Sequence, residues 1–231
     1  LALNFDPLAN TDDGFCCGAS LPIPFGTQIG QDIDAEHRDD YNGYSVSYSD
    51  DGNRIAIGAI QNDNIQGNGS GSTYIGHVRI FENINGNWIQ VGQDIDGNPL
   101  QYGYFGYSVD LSSDGNTVAI GTSPSDGTNS FAHVYNYNGT SWNQLGDSVE
   151  VSGGSIASTQ VKISNDGLYL LVGSKSIFSN NGRVRLFALD VSSSTWIQIF
   201  EYNGISSQMA GSSVSISGDG SIFAFGSKNG C

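Results

Sequence analysis

The amino-acid sequence predicts an all-β fold assembled from a repeated unit. Short segments rich in Val, Ile, Tyr, Phe and Ser are separated by Asp-Gly, Asn-Gly and Gly-Asn pairs, which is typical of strands joined by tight turns. Glycine accounts for 32 of the 231 residues without a Gly-X-Y period, which excludes collagen and indicates many turns. No apolar run reaches the roughly 18 residues that a membrane helix needs.

The tryptophans measure the length of the repeated unit. Trp88, Trp142 and Trp196 follow one another at intervals of 54 residues, and each leads into a strand-like segment. The first complete unit reads as four strands, "YSVSYS", "RIAIGA", "HVRIFE" and "WIQVGQDI", joined in pairs by tight turns. Four strands in a period near 50 residues are typical of a β-propeller blade. The predicted fold is a β-propeller of four-stranded blades of about 54 residues, with an incomplete set of blades in this chain.

The repeat also predicts where each blade lies within a propeller spanning 21–231. "TQIGQDID" from Thr27 matches "IQVGQDID" from Ile89, so a lone outer strand precedes the first blade. Further blades are expected after Cys231 or on partner chains, because the last unit supplies only two strands and propellers have about four to eight blades. The predicted segments are the outer strand 25–34, blades at about 41–96, 103–150 and 157–203, and a partial blade at 210–231.

A lone four-stranded sheet cannot bury both of its faces, so each blade has to pack against its neighbours. We expect the tryptophan at the start of each fourth strand to cover the blade edge or the gap to the next blade. The buried face of the first blade is predicted to contain Val46, Ile55, Ile57, Val78 and Ile80. The same role is predicted for Val109, Val118, Ile120 and Val134 in the second blade, and for Val161, Leu170, Val172, Val184 and Leu186 in the third.

The acidic charge, the scarce lysine and two glycosylation tripeptides favour an extracellular protein, and the charge argues against nucleic acid as a partner. The formal net charge is −15, from 23 acidic and eight basic residues, and such a surface repels a phosphate backbone. The acidity fits either solubility in a salty exterior or calcium binding. Asn68 and Asn138 each begin a glycosylation acceptor tripeptide. Cys16, Cys17 and Cys231 form an odd set, which indicates a disulfide partner outside this sequence.

The segment "YFGYSVDLSSDGNTVAIGTS" resembles the FG-GAP repeat of integrin α-subunit propellers and of many secreted or surface proteins of marine microbes and algae. Phe105-Gly106 stands for the "FG", and Ile57-Gly58-Ala59-Ile60 in the first unit is similar to the "GAP" ending. The resemblance covers about 200 residues, from Thr27 onward. It implies a propeller at the cell surface.

Two further comparisons with family patterns bear on calcium and on the N-terminus. Calcium-binding FG-GAP units carry an Asp-x-Asp-x-Asp-Gly loop between the first two strands, whereas this chain has only "SDDGN", "SSDGN", "SNDGL" and "SGDGS" there. The N-terminal "LALNFDPLANTDDGFCC" is similar to a short secreted repeat ending in "DDGSC", which implies that 1–20 is the tail of a small cysteine-containing module or a linker. The aspartates predicted to act as turn residues rather than ligands are Asp51, Asp114, Asp166 and Asp219.

Few residues suggest a site. Asp94 and Asp96 are two apart on an extended strand and share a face, so they could hold calcium or lie at a solvated rim. Asp63, in an oxygen-rich inserted loop with Asn62, is a second calcium candidate. His77 and His133 hold equivalent positions, which favours a role on the strand surface over catalysis. A possible ligand face at the entries to the first strands carries Tyr41, Tyr44, Tyr102, Tyr104 and Tyr107.

These observations predict a non-catalytic extracellular structural or adhesive propeller module of a larger surface or filament protein. Its expected partners are copies of itself, other subunits of the surface or filament, and possible glycans, with no membrane insertion and no cofactor other than calcium. The alternative is a lectin-like propeller that binds a carbohydrate or protein ligand. An enzyme ranks third, because the sequence contains no nucleophile elbow, phosphate-binding loop or zinc-protease helix.

Overall fold

The computed structural model describes residues 28–62, 74–98, 103–124, 129–151, 157–176, 181–205 and 207–228. The elements of these ranges are strands in four antiparallel sheets, which we call blades 1 to 4. Blade 1 comprises β1 (Asn42–Tyr48), β2 (Arg54–Ala59), β3 (His77–Ile84), β4 (Asn87–Gln90) and β5 (Ile95–Asp96). Blade 2 comprises β6 (Ser108–Leu111), β7 (Thr117–Gly121), β8 (Phe131–Tyr137), β9 (Trp142–Gln144) and β10 (Val149–Glu150). Blade 3 comprises β11 (Ala157–Ile163), β12 (Tyr169–Ser176), β13 (Arg183–Asp190) and β14 (Thr195–Asn203), and blade 4 comprises β15 (Ala210–Ile216) and β16 (Phe223–Ser227).

Each blade is an up-and-down sheet, and the predicted all-β propeller fold is confirmed. In blade 3 the strand order is β11-β12-β13-β14, so each strand pairs with the next one in the chain. In blades 1 and 2 the fourth strand is broken, and both of its halves pair with the third strand. The innermost strands β1, β6, β11 and β15 lie side by side in that order. Neighbouring blades therefore pack face to face around a common axis.

The turn between the first two strands has the same construction in every blade. In blade 2 the Ser112 hydroxyl donates to Asp114 at 2.7 Å and accepts the Thr117 N–H at 2.9 Å, while Asp114 accepts the Asn116 N–H at 2.9 Å. Equivalent serine and aspartate pairs close the other three turns. These bonds use the carboxylate oxygens within the turn, as the sequence predicts for Asp51, Asp114, Asp166 and Asp219.

Backbone hydrogen bonds connect these turns from one blade to the next. The Asp50 N–H donates to the Ser113 carbonyl at 3.0 Å, the Ser113 N–H to Asn165 at 3.1 Å, and the Asn165 N–H to Gly218 at 2.8 Å. The Asp50 carboxylate also accepts the Ser113 hydroxyl at 2.7 Å. The four turns consequently form one continuous network at one end of the inner strands.

The core differs from the predicted single buried face per blade, because each blade packs on both sides. In blade 1, Val78 and Ile80 pack towards blade 2, whereas Ile55 and Ile57 cluster on the opposite face with Phe81 and Trp88. The two sets alternate along β2 and β3, as the period of two in a strand requires. Blades 2 and 3 divide their predicted core residues between two clusters in the same way.

Val46 is the second correction to the predicted core. Its side chain is 55% exposed, whereas Val109 and Val161, at the same repeat position in blades 2 and 3, are 6% and 3% exposed. Blades 2 and 3 each have a preceding blade against this face. Among the described residues, blade 1 has only the segment 28–42 on that side, so the sequence pattern predicts burial that the neighbouring structure does not supply.

Each tryptophan docks against the outer strand of the preceding unit, which confirms its predicted place between blades. Trp142 Nε1 donates to the Val91 carbonyl at 2.7 Å. The Gln93 side-chain amide donates to the Trp142 carbonyl at 2.8 Å and accepts the Trp142 N–H at 3.1 Å. Trp88 makes the same three bonds with Ile29 and Gln31. We refer to this arrangement as the tryptophan clasp. Residues 28–34 therefore contact blade 1 as an outer strand would, although they have no ladder partner among the described residues.

Glycine permits the close approach of blades at one recurring place. Gly106, with φ +88°, lies against Gly58 of blade 1, and its carbonyl accepts the Ser45 hydroxyl at 2.6 Å. A Cβ on Gly58 would overlap the Gly106 carbonyl oxygen. Gly173 and Gly211 meet in the same way between blades 3 and 4. Gly106 of blade 2 and Gly211 of blade 4 thus each require a glycine in the second strand of the preceding blade.

Candidate functional site

The tyrosines predicted to form a ligand face make two separate pairs. Tyr44 and Tyr107 contact each other with ring centroids 5.2 Å apart, and Tyr104 stacks on Tyr74 at 5.1 Å. Tyr41, three residues before Tyr44, is 56% exposed. Tyr102 lies outside the described residues. Tyr74 was missed by sequence reasoning, because its position before β3 carries no repeat signal.

Tyr44 and Tyr107 line a cavity of about 390 Å³ between the inner strands of blades 1, 2 and 3. Burial, followed by a hydrogen bond with Tyr107, raises the pKa of Tyr44 to about 12. Gln160 and Lys162 of blade 3 supply polar groups to the same cavity. It therefore combines aromatic rings with hydrogen-bonding groups, which is the usual composition of a small-ligand site.

Asp110 is a buried carboxylate beside this cavity that the sequence did not single out. It accepts the Lys162 ammonium at 2.5 Å and the Ile163 N–H at 2.8 Å, so it connects blades 2 and 3. Burial raises the pKa of Asp110, and the Lys162 cation opposes that shift. Its contacts on both oxygens identify it as an inter-blade tie.

Asp94 meets a set of groups that the sequence did not connect. Glu36, His77 and Asp94 each place a ligand-type atom within 4.8 Å of the other two. His77 Nδ1 stands 3.7 Å from Glu36 Oε2, and the Asp94 carboxylate accepts the Gln90 amide at 2.6 Å. His77 is buried, which corrects its predicted place on the strand surface. Burial first, and then the Arg79 cation, lower the pKa of His77.

Asp96 does not belong to this group and lies by blade 2. It lines a cavity of about 300 Å³ with Phe105, His133 and Tyr135. His133 Nδ1 is 2.8 Å from the Ser148 hydroxyl, and burial lowers the pKa of His133 to about 4. The predicted shared face of Asp94 and Asp96 is therefore not used for one site, because Asp94 instead joins Glu36 and His77.

The other predicted sites are divided between described and undescribed parts of the chain. Asn138 lies in an exposed turn, where its side-chain oxygen accepts the Thr140 N–H at 2.9 Å. Asn62 is buried and donates to Asp40 at 3.2 Å. Within the described ranges, no helix is long and apolar enough to cross a membrane. The predictions for Asp63, Asn68, Cys16, Cys17, Cys231 and the module at 1–20 lie outside the described residues.

A family model described as FG-GAP repeat matches residues 33–76. This stretch contains β1 and β2 and ends just before β3, so it covers the first half of blade 1. The resemblance to FG-GAP propeller repeats is thereby confirmed. A search of the curated proteins found no match to this sequence.

Solved structures with a similar fold come from functionally different proteins. Hydrazine synthase from Kuenenia stuttgartiensis aligns with 78% of this chain and 42% of its own, at 17% identity and a TM-score of 0.50. The β-propeller domain of the trilobed protease from Pyrococcus furiosus aligns with 71% of this chain and 42% of its own, at 14% identity and a TM-score of 0.42. TolB from Acinetobacter baumannii aligns with 77% of this chain and 36% of its own, at 16% identity and a TM-score of 0.41. This chain spans less than half of each, and the likeness concerns the fold alone.

Proposed function

We propose that this chain is a non-catalytic, extracellular β-propeller module that mediates assembly between copies of itself. The observation that supports this proposal is the face of blade 1 that no blade covers among the described residues. Val46 and Tyr48 are 55% and 53% exposed there, whereas their counterparts in blades 2 and 3 are buried by a preceding blade. An apolar face that is exposed at positions buried elsewhere in the same repeat is a candidate contact surface.

The outward face of blade 4 is suited to cover it. Ala224 and Gly226 in β16 hold the repeat positions of Ala56 and Gly58, the blade 1 residues that pack against blade 2. A Cβ on Gly58 would meet the next blade, whereas within the described part of the chain a Cβ on Gly226 would meet only Ser213 of its own strand pair. Blade 4 of one copy would therefore contact blade 1 of another as blade 1 contacts blade 2. Such a heterologous contact produces a ring or a filament.

Complementing variants test this head-to-tail arrangement. Analytical ultracentrifugation should show concentration-dependent association of the wild type, and a charge at either face, Val46→Asp or Ala224→Asp, should abolish it. A mixture of the two variants should form dimers and nothing larger, because each variant keeps one intact face. Val191→Asp, on the exposed turn after β13, is the matched control and should associate normally. A wild type that remains monomeric at every concentration, or variants that still associate, would refute the proposal.

An extracellular location is supported by the exposed Asn138 acceptor turn. Native material should therefore lose mass at the peptide containing Asn138 after treatment with a glycosidase. Asn138→Gln should remove that mass difference while leaving the turn exposed. Unmodified Asn138 in native material would remove this support for an exterior location.

A second candidate function is the binding of a glycan in the cavity between the inner strands. The observation that favours it is the combination of Tyr44 and Tyr107 with Gln160 in a space of about 390 Å³. Aromatic rings pack on sugar rings while amides bond their hydroxyls. Calorimetric titration with oligosaccharides should give binding that Gln160→Ala weakens at least about tenfold. Binding unaffected by this change would exclude the cavity as the glycan site.

A further inference from the structure

We propose that Glu36, His77 and Asp94 form a binding site for one divalent transition-metal ion, with zinc as the expected metal. The three side chains come from three separate places in the chain: the segment before β1, the start of β3 and the break between β4 and β5. Their ligand-type atoms all lie within 4.8 Å of one another.

His77 supplies the observation that separates this group from an ordinary acidic surface. Its side chain is only 1% exposed, yet its Nε2 has no hydrogen-bond partner among the described residues. Nδ1 stands 3.7 Å from Glu36 Oε2, which is too long for a hydrogen bond. Nδ1 is the nitrogen that faces Glu36, and an ion coordinated at Nδ1 would give this buried imidazole a partner on the side of the carboxylates.

Blade 2 shows what the same position looks like when the histidine is already satisfied. His133 is the repeat equivalent of His77, and its Nδ1 lies 2.8 Å from the Ser148 hydroxyl. Ser148 occupies the position of Asp94 relative to the preceding tryptophan. Blade 1 thus replaces a neutral hydroxyl by a carboxylate and adds a second carboxylate from Glu36. The change from a hydrogen-bonded pair to a histidine with two carboxylates is specific to blade 1 among the described blades.

The surroundings orient the two carboxylates towards the histidine. The Gln90 amide holds Asp94 at 2.6 Å, and the Asn62 amide lies 3.5 Å from Glu36 Oε2. Arg79 Nη1 approaches the other oxygen of Glu36 at 3.9 Å. Outer groups that bond carboxylate ligands in this way fix the orientation of a metal site.

The chemistry of the three ligands selects the class of ion. One imidazole nitrogen and two carboxylate oxygens match zinc, which takes four ligands and often keeps one position for water. Calcium requires about six to eight oxygen ligands, whereas this set offers two carboxylates and an imidazole nitrogen. Tetrahedral zinc ligands at about 2.0–2.1 Å from the metal stand roughly 3.3 Å apart, so the group has to contract on binding. Glu36 can move inwards because its side chain is 37% exposed.

Zinc binding to the whole chain tests the site directly. All three cysteines are first replaced by serine, because thiolates also bind zinc. After removal of metal with EDTA, calorimetric titration should give one zinc ion per chain, and the melting temperature should rise with zinc concentration. Cobalt substitution should give the visible absorption of a tetrahedral Co²⁺ centre. Glu36→Gln and Asp94→Asn should each weaken zinc binding at least about tenfold.

Two controls separate the site from general acidity. Asp96→Asn removes one neighbouring carboxylate outside the group and should leave zinc affinity and stoichiometry unchanged. Ser148→Asp combined with Asp96→Asn gives blade 2 a histidine and one carboxylate, and the double variant should add no second zinc ion. The proposal is wrong if the wild type takes up no stoichiometric zinc. It is equally wrong if Glu36→Gln and Asp94→Asn bind zinc with wild-type affinity, or if Asp96→Asn weakens it as much as they do.

Discussion

Blade 2 is joined to blade 1 differently from the way blade 4 is joined to blade 3. At the first junction, the outer strand breaks at Gly92, and Trp142 of the next blade docks onto the break through the tryptophan clasp. Gly92 has φ +73°, and a Cβ there would lie 2.8 Å from the Trp142 ring. Glycine is therefore required at this position for two independent reasons.

Blade 3 carries Phe200 at the repeat position of Gly92. Its outer strand β14 is accordingly unbroken from Thr195 to Asn203, with a register shift opposite Leu186 and Phe187. The Phe200 ring packs on Phe223 of blade 4 at 4.9 Å, and Tyr202 packs on Phe225 at 5.1 Å. The comparison shows that one sequence repeat joins its blades either by a hydrogen-bonded indole on a glycine break or by aromatic pairs on a continuous strand.

Removal of the Trp142 indole should lower the free energy of unfolding more than the other changes at the first junction. Trp142→Ala deletes a ring that is buried between blades 1 and 2 and leaves a cavity, so it should lower the free energy of unfolding by about 3–5 kcal/mol. Trp196→Ala should cost less, because Trp196 is only partly buried and has Asp147 where Trp142 has Gln93. Urea unfolding followed by circular dichroism measures both values. Equal losses for the two variants would show that the clasp adds nothing to the first junction.

A side chain at the glycine break should have the next largest effect. Gly92→Ala combines a left-handed backbone with overlap against the indole, and we expect a loss of about 2–4 kcal/mol. Gly86→Ala is the matched control, since Gly86 has φ +84° but open space around it. Its loss should be about 1–2 kcal/mol. The difference between the two unfolding free energies isolates the contact with Trp142. A difference near zero would show that this contact does not require glycine at position 92.

The glutamine of the clasp should have a smaller effect. Gln93→Ala removes two hydrogen bonds to the Trp142 backbone and should cost about 1–2 kcal/mol. Asp147→Gln places the same side chain at the second junction and should stabilise the chain by up to about 1 kcal/mol. Thermal unfolding of both variants and of the wild type tests this. Destabilisation by Asp147→Gln would mean that the clasp depends on more than its glutamine.

Acid should destabilise the turns of blades 1, 2 and 4 in a similar way. The Ser217 hydroxyl, followed by the Ser221 N–H, lowers the pKa of Asp219 to about 2. The pKa values of Asp51 and Asp114 are lowered as well. A lowered pKa stabilises the fold above the ordinary aspartate pKa of about 3.9, and this contribution is lost as the pH falls through the folded value. Melting temperatures measured from pH 5 down to pH 2 should therefore decrease, and Asp219→Asn should make the decrease shallower. An unchanged slope in that variant would contradict the role of the turn.

The sequence by itself determined the class of fold, the blade period and the chemistry of the turns. These features depend on local rules: alternation of side chains along a strand, Ser-x-Asp-Gly turns that close on themselves, and tryptophans at a constant interval. The conserved spacing within the chain was enough to place Trp142 between blades, because its partner strand lies one repeat away. The role of the turn aspartates followed from loops too short to surround calcium.

Only the tertiary structure decided which faces are covered and which distant groups meet. Val46 and Val109 belong to the same sequence pattern, but their exposure differs because, in the part of the chain that the structure describes, only Val109 has a preceding blade to pack against. Glu36, His77 and Asp94 are separated by tens of residues and belong to different parts of the repeat, so no spacing rule connects them. Their meeting depends on the break in the outer strand of blade 1 and on the path of the segment before β1. Both are consequences of packing between elements, which local sequence patterns do not encode.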